Sequence, residues 1–210
     1  MCIRDSILTG DEASLAHATQ LMVQHDLKRL PVVDRARRLI GMLSRVDVLR
    51  TVAEPQSKQP GVRPASVAGH SVGDVMDPNV PAVKADADLV EIAGLLVGAE
   101  IKRVAVLDEA GRVIGVITDG DLIARVRPEA RSGWLAALSG RGAAPASGEV
   151  AHDVMSRTVL MGPPDTPIAD AVQQMLSQKR KRYYVVDAEG RLLGGVDRQT
   201  LLRAIAGKAG

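Results

Sequence analysis

The chain has 210 residues, of which 46% are hydrophobic and 25% are charged, and its formal net charge is +2. This composition is typical of an ordinary globular protein with a hydrophobic core, and so small a net charge argues against a nucleic-acid partner. With one Trp, two Tyr and no Phe, the chain also has too few aromatic side chains to stack single-stranded bases.

Neither a membrane span nor a metal site is predicted. No run approaches the roughly 18 apolar residues of a spanning helix, and the N-terminus lacks the basic and apolar regions of a secretory signal. Cys2 is the one cysteine, and the four histidines show no metal-ligand spacing. We therefore expect a cytoplasmic protein.

One tract occurs three times along the chain. It reads LPVVDRARRLIGMLSRVDVLR over 30–50, VAVLDEAGRVIGVITDGDLIARV over 104–126 and YYVVDAEGRLLGGVDRQTLLRAI over 183–205. Each copy predicts an apolar strand ending in Asp, a polar turn, a second apolar strand and a short helix. The repetition indicates one supersecondary unit used three times, and such units stack on one another to bury their apolar faces.

The second and third copies share an upstream half. It reads SVGDVMDPNVPAV over 71–83 and VAHDVMSRTVLMG over 150–162. In each, Asp-Val-Met precedes a turn and a short apolar strand, and a helical pattern follows. The complete unit is therefore strand, helix, strand, strand, helix, which predicts an α/β fold of small mixed sheets with helices on one face.

The first copy has the helix and the hairpin, but no Asp-Val-Met segment. We expect it to be a partial repeat that lacks its first strand, in a fragment of a longer protein whose N-terminal part is the place for an effector domain. The predicted organisation is a partial repeat over 7–53, a linker over 54–70, a repeat over 71–127, a linker around Trp134 over 128–148, and a repeat over 149–207.

A hydroxyl and a carboxylate three residues apart follow the hairpin in each copy. These residues are Ser44 and Asp47, Thr118 and Asp121, and, in exchanged order, Asp197 and Thr200. The hydroxyl can cap the following helix, whose free N–H groups also suit an anion. The carboxylate can accept hydrogen bonds from a vicinal diol such as a ribose. Taken alone, the pattern is more often that of a simple helix cap.

A pair of basic residues precedes the middle strand of each copy. The pairs are Lys28 with Arg29, Lys102 with Arg103, and Lys181 with Arg182. Such pairs are often no more than a solvated rim. Their recurrence beside the hydroxyl and carboxylate favours phosphate recognition, because a guanidinium group can make bidentate bonds to phosphate oxygens.

Taken in order, these motifs resemble the CBS domain, the repeat named after cystathionine β-synthase and found in tandem in the regulatory gamma subunit of AMP-activated protein kinase. The matching pieces are Asp-Val-Met at 74–76 and 153–155, the strands LPVVD, VAVLD and YYVVD, and Gly-x-x-Ser/Thr-x-x-Asp. The resemblance leaves out the beginning of the chain and the linkers.

The resemblance implies tandem βαββα units, two of which pair through their sheets into a pseudo-twofold module with two clefts. Such clefts commonly take adenosine compounds, namely AMP, ADP, ATP or S-adenosylmethionine, as regulatory ligands, so no obligatory cofactor is expected. Modules of this kind also associate, which makes a homodimer the expected assembly.

Carried over by position, the resemblance assigns a first cleft to Thr118, Asp121, Val159, Leu160, Lys181 and Arg182. There Asp121 would hold the ribose hydroxyls, Thr118 the phosphate end and Arg182 the phosphates, while Val159 and Leu160 would line the adenine. One departure from the family is a charged residue, at position 180, where an apolar side chain is usual near the base.

A second, weaker cleft is implied by the same resemblance. Its residues would be Val80, Pro81, Ile101, Lys102, Arg103, Asp197 and Thr200. Because its loop has exchanged the hydroxyl and the carboxylate, we expect it to bind poorly. We expect Ser44 and Asp47 to form an intact half-site whose partner repeat lies upstream of this fragment.

Two other functions compete with a nucleotide sensor. A ligand-free scaffold, which dimerises or holds another protein, is favoured by the departures at positions 180, 197 and 200. An enzyme is disfavoured, because no Cys/His, Ser/His/Asp or metal-binding pattern is present.

Overall fold

The computed structural model describes residues 7–53, 69–98, 103–125, 133, 141 and 148–207. In these ranges the chain forms three small sheets of three strands each. The predicted linkers over 54–70 and 128–148, with Trp134, lie almost entirely outside the described residues.

The elements follow the same order in each repeat. The first repeat contains β1 (Thr9–Gly10), α1 (Leu15–Gln24), β2 (Arg29–Val33), β3 (Leu39–Ser44) and α2 (Arg45–Ala53). The second contains β4 (Ala82–Lys84), α3 (Leu89–Gly98), β5 (Arg103–Leu107), β6 (Val113–Thr118) and α4 (Asp119–Arg125). The third contains α5 (Ala151–Val154), β7 (Met161–Gly162), α6 (Ile168–Ser177), β8 (Arg182–Val186), β9 (Leu192–Asp197) and α7 (Arg198–Ile205).

Each sheet has its middle strand in the centre. The short first strand pairs with it in parallel after a helical crossover, as β4 does with β5, and the third strand pairs with it antiparallel through a hairpin, as β6 does with β5. The predicted βαββα unit and the α/β fold class are confirmed.

The prediction that the first repeat lacks its first strand is wrong. Strand β1 is present, and its Thr9 and Gly10 pair in parallel with Val32 and Val33 of β2. The strand is two residues long and the side chain of Thr9 is buried, so its sequence carries no apolar run from which a strand could be recognised.

The hairpin turn has the same closed structure in all three repeats. An Asp at its start accepts hydrogen bonds from the backbone N–H and the Nε of an Arg four residues later. The pairs are Asp34 with Arg38, Asp108 with Arg112, and Asp187 with Arg191, and their Oδ2 to Nε distances are 3.1, 2.7 and 2.6 Å. These bonds lower the pKa of Asp108, chiefly through the backbone N–H of Arg112.

The residue before that Arg has a left-handed backbone. Gly111 and Gly190 have φ values of 79° and 83°, which glycine adopts without steric cost. The first repeat places Arg37 at this position, with φ 60°. An arginine is therefore held in a conformation that its Cβ disfavours.

By its internal contacts the chain divides into two compact units. The first comprises Met1–Met76, Pro164–Tyr183 and Val196–Gly210, and the second comprises Asp77–Pro163 and Tyr184–Gly195. In the first unit, helix α2 packs against α6 and α7, and α1 packs against α7.

The hydrophobic core of the second unit joins residues of the second and third repeats. Its buried members are Val83, Leu89, Ile92, Ala93, Leu96, Val104, Val106, Ile117, Leu122, Ala151, Val154 and Met155. Helix α5 of the third repeat thus supplies part of the core that β6 and α3 of the second repeat enclose.

Within the second unit, the two repeats also bond to each other's backbone. The N–H of Val116 donates to the carbonyl of Ser156 at 3.0 Å, and the N–H of Ser156 donates back at 2.8 Å. Asp77 and Gly195 make the corresponding pair, with both distances 2.9 Å. The edge of each hairpin is therefore paired with the segment that follows Asp-Val-Met in the other repeat.

We expect Gly115→Ala to destabilise the protein by about 1–3 kcal/mol, the usual cost of overpacking. A Cβ at Gly115 would clash with the Sδ of Met155, so the methionine must move. Urea denaturation measures the loss. Gly41→Ala is the matched control, because a Cβ at the equivalent residue of the first repeat meets nothing within 4 Å. Equal effects of the two substitutions would contradict the packing argument.

Candidate functional site

The loop between β6 and α4 holds Thr118 and Asp121 together. The Oγ1 of Thr118 donates to Oδ2 of Asp121 at 2.7 Å, and the backbone N–H of Thr118 donates to the same oxygen at 2.9 Å. Both residues are half-buried. In the described part of the chain Asp121 makes its hydrogen bonds through Oδ2, so Oδ1 remains available to accept from a ligand hydroxyl.

The same loop in the first repeat has the same geometry. Ser44 donates to Oδ2 of Asp47 from its Oγ at 2.6 Å and from its backbone N–H at 2.9 Å. The hydroxyl bond from Ser44 is the main cause that lowers the pKa of Asp47, with the backbone bond and Arg50 adding to it against the opposing effect of burial. Ser44 and Asp47 therefore share the local hydrogen-bond geometry of Thr118 and Asp121, and their role as a half-site stays a prediction.

The loop of the third repeat is different, because Asp197 occupies the place of the hydroxyl. Its Oδ1 accepts from the N–H groups of Gln199 and Thr200 at 2.7 and 3.0 Å and so caps α7. The hydroxyl of Thr200 lies 3.4 Å from the same oxygen. Oδ1 of Asp197 is thus already engaged by the helix.

The second oxygen of Asp197 faces a buried arginine. Oδ2 lies 3.7 Å from Nη2 of Arg182, whose side chain is only 4% exposed. A carboxylate at this position therefore neutralises the guanidinium group from within the same repeat. The exchange of Thr and Asp in the third loop, which the sequence shows, supplies a counter-ion for this buried arginine.

Three arginines of the third repeat have buried N–H groups without an acceptor among the described residues. The atoms are Nε of Arg180, Nε and Nη1 of Arg182, and Nε of Arg198. Burial also lowers the pKa of Arg198. Arg198 is not among the site residues predicted from the sequence. The sequence signal that could have pointed to it is Arg45, which occupies the same position in the first repeat.

In the first and second repeats, the arginine of the basic pair lies opposite the loop hydroxyl across the hairpin. Arg29 is the strand partner of Ser44, and Arg103 is the strand partner of Thr118. Arg29 is exposed and Arg103 is half-buried. The arginine therefore lies at the end of the hairpin where the hydroxyl and carboxylate begin the next helix.

The backbone pair of Val116 and Ser156 relates two groups of predicted site residues. Val116 is two residues before Thr118, and Ser156 is three residues before Val159. Because the bridge is antiparallel, the two segments run in opposite directions from it, one towards Thr118 and the other towards Val159 and Leu160. Leu160 is buried and Val159 is half-buried, as expected of side chains that line an apolar surface.

The remaining predicted residues are distributed as follows. Lys181 is exposed, and Val80 and Pro81 are half-buried next to β4. Ile101 and Lys102 lie outside the described residues. The grouping of Thr118 and Asp121 with Lys181 and Arg182, and the composition of the second cleft, stay predictions.

The motif of a hydroxyl followed by Asp also occurs away from the loops. Ser71 donates to Asp74 from its Oγ at 3.0 Å and from its backbone N–H at 2.8 Å. The pattern can therefore form as a local cap without any binding role. The loop of Thr118 is distinguished by its position at the end of a hairpin.

The described part of the chain contains no cluster of three or more His, Cys, Asp or Glu side chains that could hold a metal ion. None of the helices described is both long and apolar enough to cross a membrane.

The model of the CBS domain family matches residues 2–54, 72–127 and 150–207. These three stretches coincide with the three βαββα repeats described above. The protein belongs to the CBS domain family, and the resemblance noted from its motifs is confirmed.

Two proteins illustrate the similarity. The chloroplastic CBS domain-containing protein CBSX2 of Arabidopsis thaliana is 30% identical over 160 residues, which are 67% of this chain and 66% of CBSX2. The structure of CBSX2 in complex with AMP has a TM-score of 0.52 and covers 65% of this chain and 96% of that one. An uncharacterized conserved protein from Pyrococcus horikoshii shares the fold at 21% identity, with a TM-score of 0.72 over 96% of this chain and 80% of that one.

Ser44→Ala should raise the pKa of Asp47 towards its ordinary value, because the principal bond that lowers it is removed. A lowered carboxyl pKa contributes stability above the unfolded value of about 3.9, and this stability is lost as the pH falls through the folded value. The substitution should therefore destabilise the protein at neutral pH and matter less in acid.

Nuclear magnetic resonance titration of the Asp47 carboxyl carbon measures this shift. Ser71→Ala is the matched control, since it removes the equivalent hydroxyl bond to Asp74, keeps the backbone bond, and should raise the pKa of Asp74 alone. An unchanged Asp47 titration in Ser44→Ala would show that the hydroxyl does not hold the carboxylate.

Proposed function

We propose that the protein is a regulatory module that binds an adenosine nucleotide, with AMP as the first candidate. Thr118 and Asp121 hold the ribose and the adjoining phosphate, and Val159 and Leu160 line the adenine. The module has a regulatory rather than a catalytic role.

The observation that carries the proposal is the second unit's pairing of Val116 with Ser156. It joins the strand that ends at Thr118 to the segment that continues to Val159 and Leu160, through an antiparallel bridge. The proposed site combines the apolar side chains of this segment with a carboxylate whose Oδ1 is available. Such a surface with a few oriented polar groups is the usual composition of a small-molecule site.

The ligand chemistry is supported by a relative. CBSX2, at 30% identity, has been solved in complex with AMP. In this chain the Thr118 loop keeps both the hydroxyl and the carboxylate, which can together serve a ribose and a phosphate. The third repeat has committed its carboxylate to the cap of α7 and to Arg182, so the Thr118 loop is the better of the two.

Regulation follows if the nucleotide binds one arrangement of the repeats more tightly than another. The ligand then shifts the population towards that arrangement by its differential affinity, and an attached partner detects the shift. A cytoplasmic location and an effector domain elsewhere in the protein belong to this proposal.

Isothermal titration calorimetry with AMP tests the site. Asp121→Asn should weaken binding about 10- to 100-fold, since hydrogen bonds to a charged group contribute about 1.5–3 kcal/mol. Asp47→Asn is the matched control, because it makes the same change in the first repeat's loop and should leave the affinity unaltered. No heat from AMP, ATP or S-adenosylmethionine with a folded protein would contradict the proposal.

A ligand-free scaffold is the second candidate, and the ion pair of Arg182 and Asp197 favours it. A repeat that neutralises its own arginine has less need of a phosphate. If the scaffold is correct, nucleotides should leave the melting temperature unchanged, whereas protein concentration should alter it. Differential scanning calorimetry separates the two candidates.

A further inference from the structure

An arginine of the first repeat is held at the turn that follows helix α1. Nε of Arg45 donates to the carbonyl of Leu27 at 2.9 Å, and Nη2 donates to the carbonyl of Asp26 at 3.1 Å. Nη2 also donates to Oδ1 of Asp26 at 2.7 Å, and the side chain of Arg45 in this ion pair is 11% exposed. A largely buried guanidinium group is thus neutralised by a carboxylate that reaches it from the surface.

The third repeat contains the same turn after helix α6. Helices α1 and α6 both have ten residues. Two residues after each helix the backbone is left-handed, with φ 50° at Asp26 and 55° at Lys179. Arg198 follows β9 as Arg45 follows β3, and its Nη2 donates to the carbonyl of Arg180 at 3.5 Å. The two arginines therefore occupy equivalent positions at equivalent turns.

The charge beside the arginine differs between the two turns. Lys179 occupies the position of Asp26, and Arg180 occupies that of Leu27. The exchange of Asp for Lys adds two positive charges and the exchange of Leu for Arg adds one, so the third repeat's turn is more positive by three unit charges. Within the ranges that the structure describes, no carboxylate forms an ion pair with Lys179, Arg180 or Arg198.

Two N–H groups at the third repeat's turn are buried without an acceptor in the described part of the chain. They are Nε of Arg180 and Nε of Arg198. Burial lowers the pKa of Arg198, because its charged form has lost water without gaining a counter-ion. The neighbouring carboxylate of Asp197 is already engaged, since Oδ1 caps α7 and Oδ2 faces Arg182. The positive charge of this turn is therefore not compensated by the described residues.

A multiply charged oxyanion fits this turn better than a single carboxylate does. In the first repeat the one charge of Asp26 is enough, because Leu27 beside it is neutral. The third repeat presents an ammonium group and two guanidinium groups instead. A phosphate group carries about 1.5 to 2 negative charges at neutral pH, and its oxygens form charge-assisted hydrogen bonds with guanidinium groups. Lys179 is exposed, so an anion in solution can reach the turn.

We propose that Lys179, Arg180 and Arg198 form an anion site that binds a phosphate group. A phosphate oxygen accepts from Nη2 of Arg198, as a carboxylate oxygen accepts from the equivalent arginine of the first repeat. Lys179 and Arg180 neutralise the remaining charge of the phosphate. The site uses neither the basic pair before the strand nor the hydroxyl and carboxylate of the loops. This inference therefore does not depend on nucleotide binding at Thr118 and Asp121.

Lys179→Asp gives the third repeat the arrangement of the first. Aspartate is compatible with the left-handed backbone, as Asp26 shows. Because the new carboxylate should pair with Arg198, we expect the variant to melt at a higher temperature than the unmodified chain when phosphate is absent. It should bind inorganic phosphate about 10- to 100-fold more weakly, the effect of losing a hydrogen bond to a charged group. Differential scanning calorimetry over a phosphate series, with chloride keeping the ionic strength constant, measures both effects.

The same calorimetric series with glycerol 3-phosphate separates free phosphate from a phosphate monoester. Equal stabilisation by the two anions identifies the phosphate group itself as what the site recognises. Stronger stabilisation by the ester identifies a phosphorylated small molecule as the ligand. In either case the stabilisation should be lost in Lys179→Asp.

Lys84→Asp is the matched control, because it makes the same change at an exposed lysine of the second repeat and should keep the response to phosphate. Arg198→Gln, which removes the guanidinium group, should lose the response. Circular dichroism confirms that each variant is folded. An unmodified chain that phosphate does not stabilise would overturn the site, as would a response that survives both Lys179→Asp and Arg198→Gln. A response that Asp121→Asn abolishes and Lys179→Asp keeps would also overturn it, and would place the phosphate at the Thr118 loop.

Discussion

The backbone hydrogen bonds exchanged between the second and third repeats are the interaction on which the rest of the second unit depends. A three-stranded sheet with a hairpin at its edge leaves one row of N–H and C=O groups unpaired. Val116 and Gly195 have these groups satisfied by the segments that follow Asp-Val-Met in the opposite repeat. Because hydrogen bonds are directional, the exchange fixes a register as well as a contact.

That register connects packing to the candidate site. The strand held by Ser156 continues directly into Thr118, and the carboxylate of Asp121 is oriented by two donors from that residue. An orienting cap of this kind limits the carboxylate to one rotamer before any ligand arrives. Preorganisation reduces the entropy that binding would otherwise cost.

The sequence was sufficient to predict the βαββα unit, because its apolar periods and its Gly-containing turns recur three times. It was not sufficient for β1, which is two residues long and begins with a buried Thr9. The burial of Arg182 could not be predicted from the sequence either, because a charged side chain is buried only where the fold supplies a counter-ion. Asp197 fills that role here, although its position in the sequence indicated only an exchange with Thr200.

Gly115 and Met155 belong to different repeats, yet the space that one leaves is filled by the other. A larger residue at 115 is accommodated at the lowest cost if residue 155 becomes smaller at the same time. Substitutions at these two positions are therefore coupled between the two repeats. Gly41, with open space above it, is under no such restriction from the described residues, so the first repeat is free to diverge at this position independently of the other two.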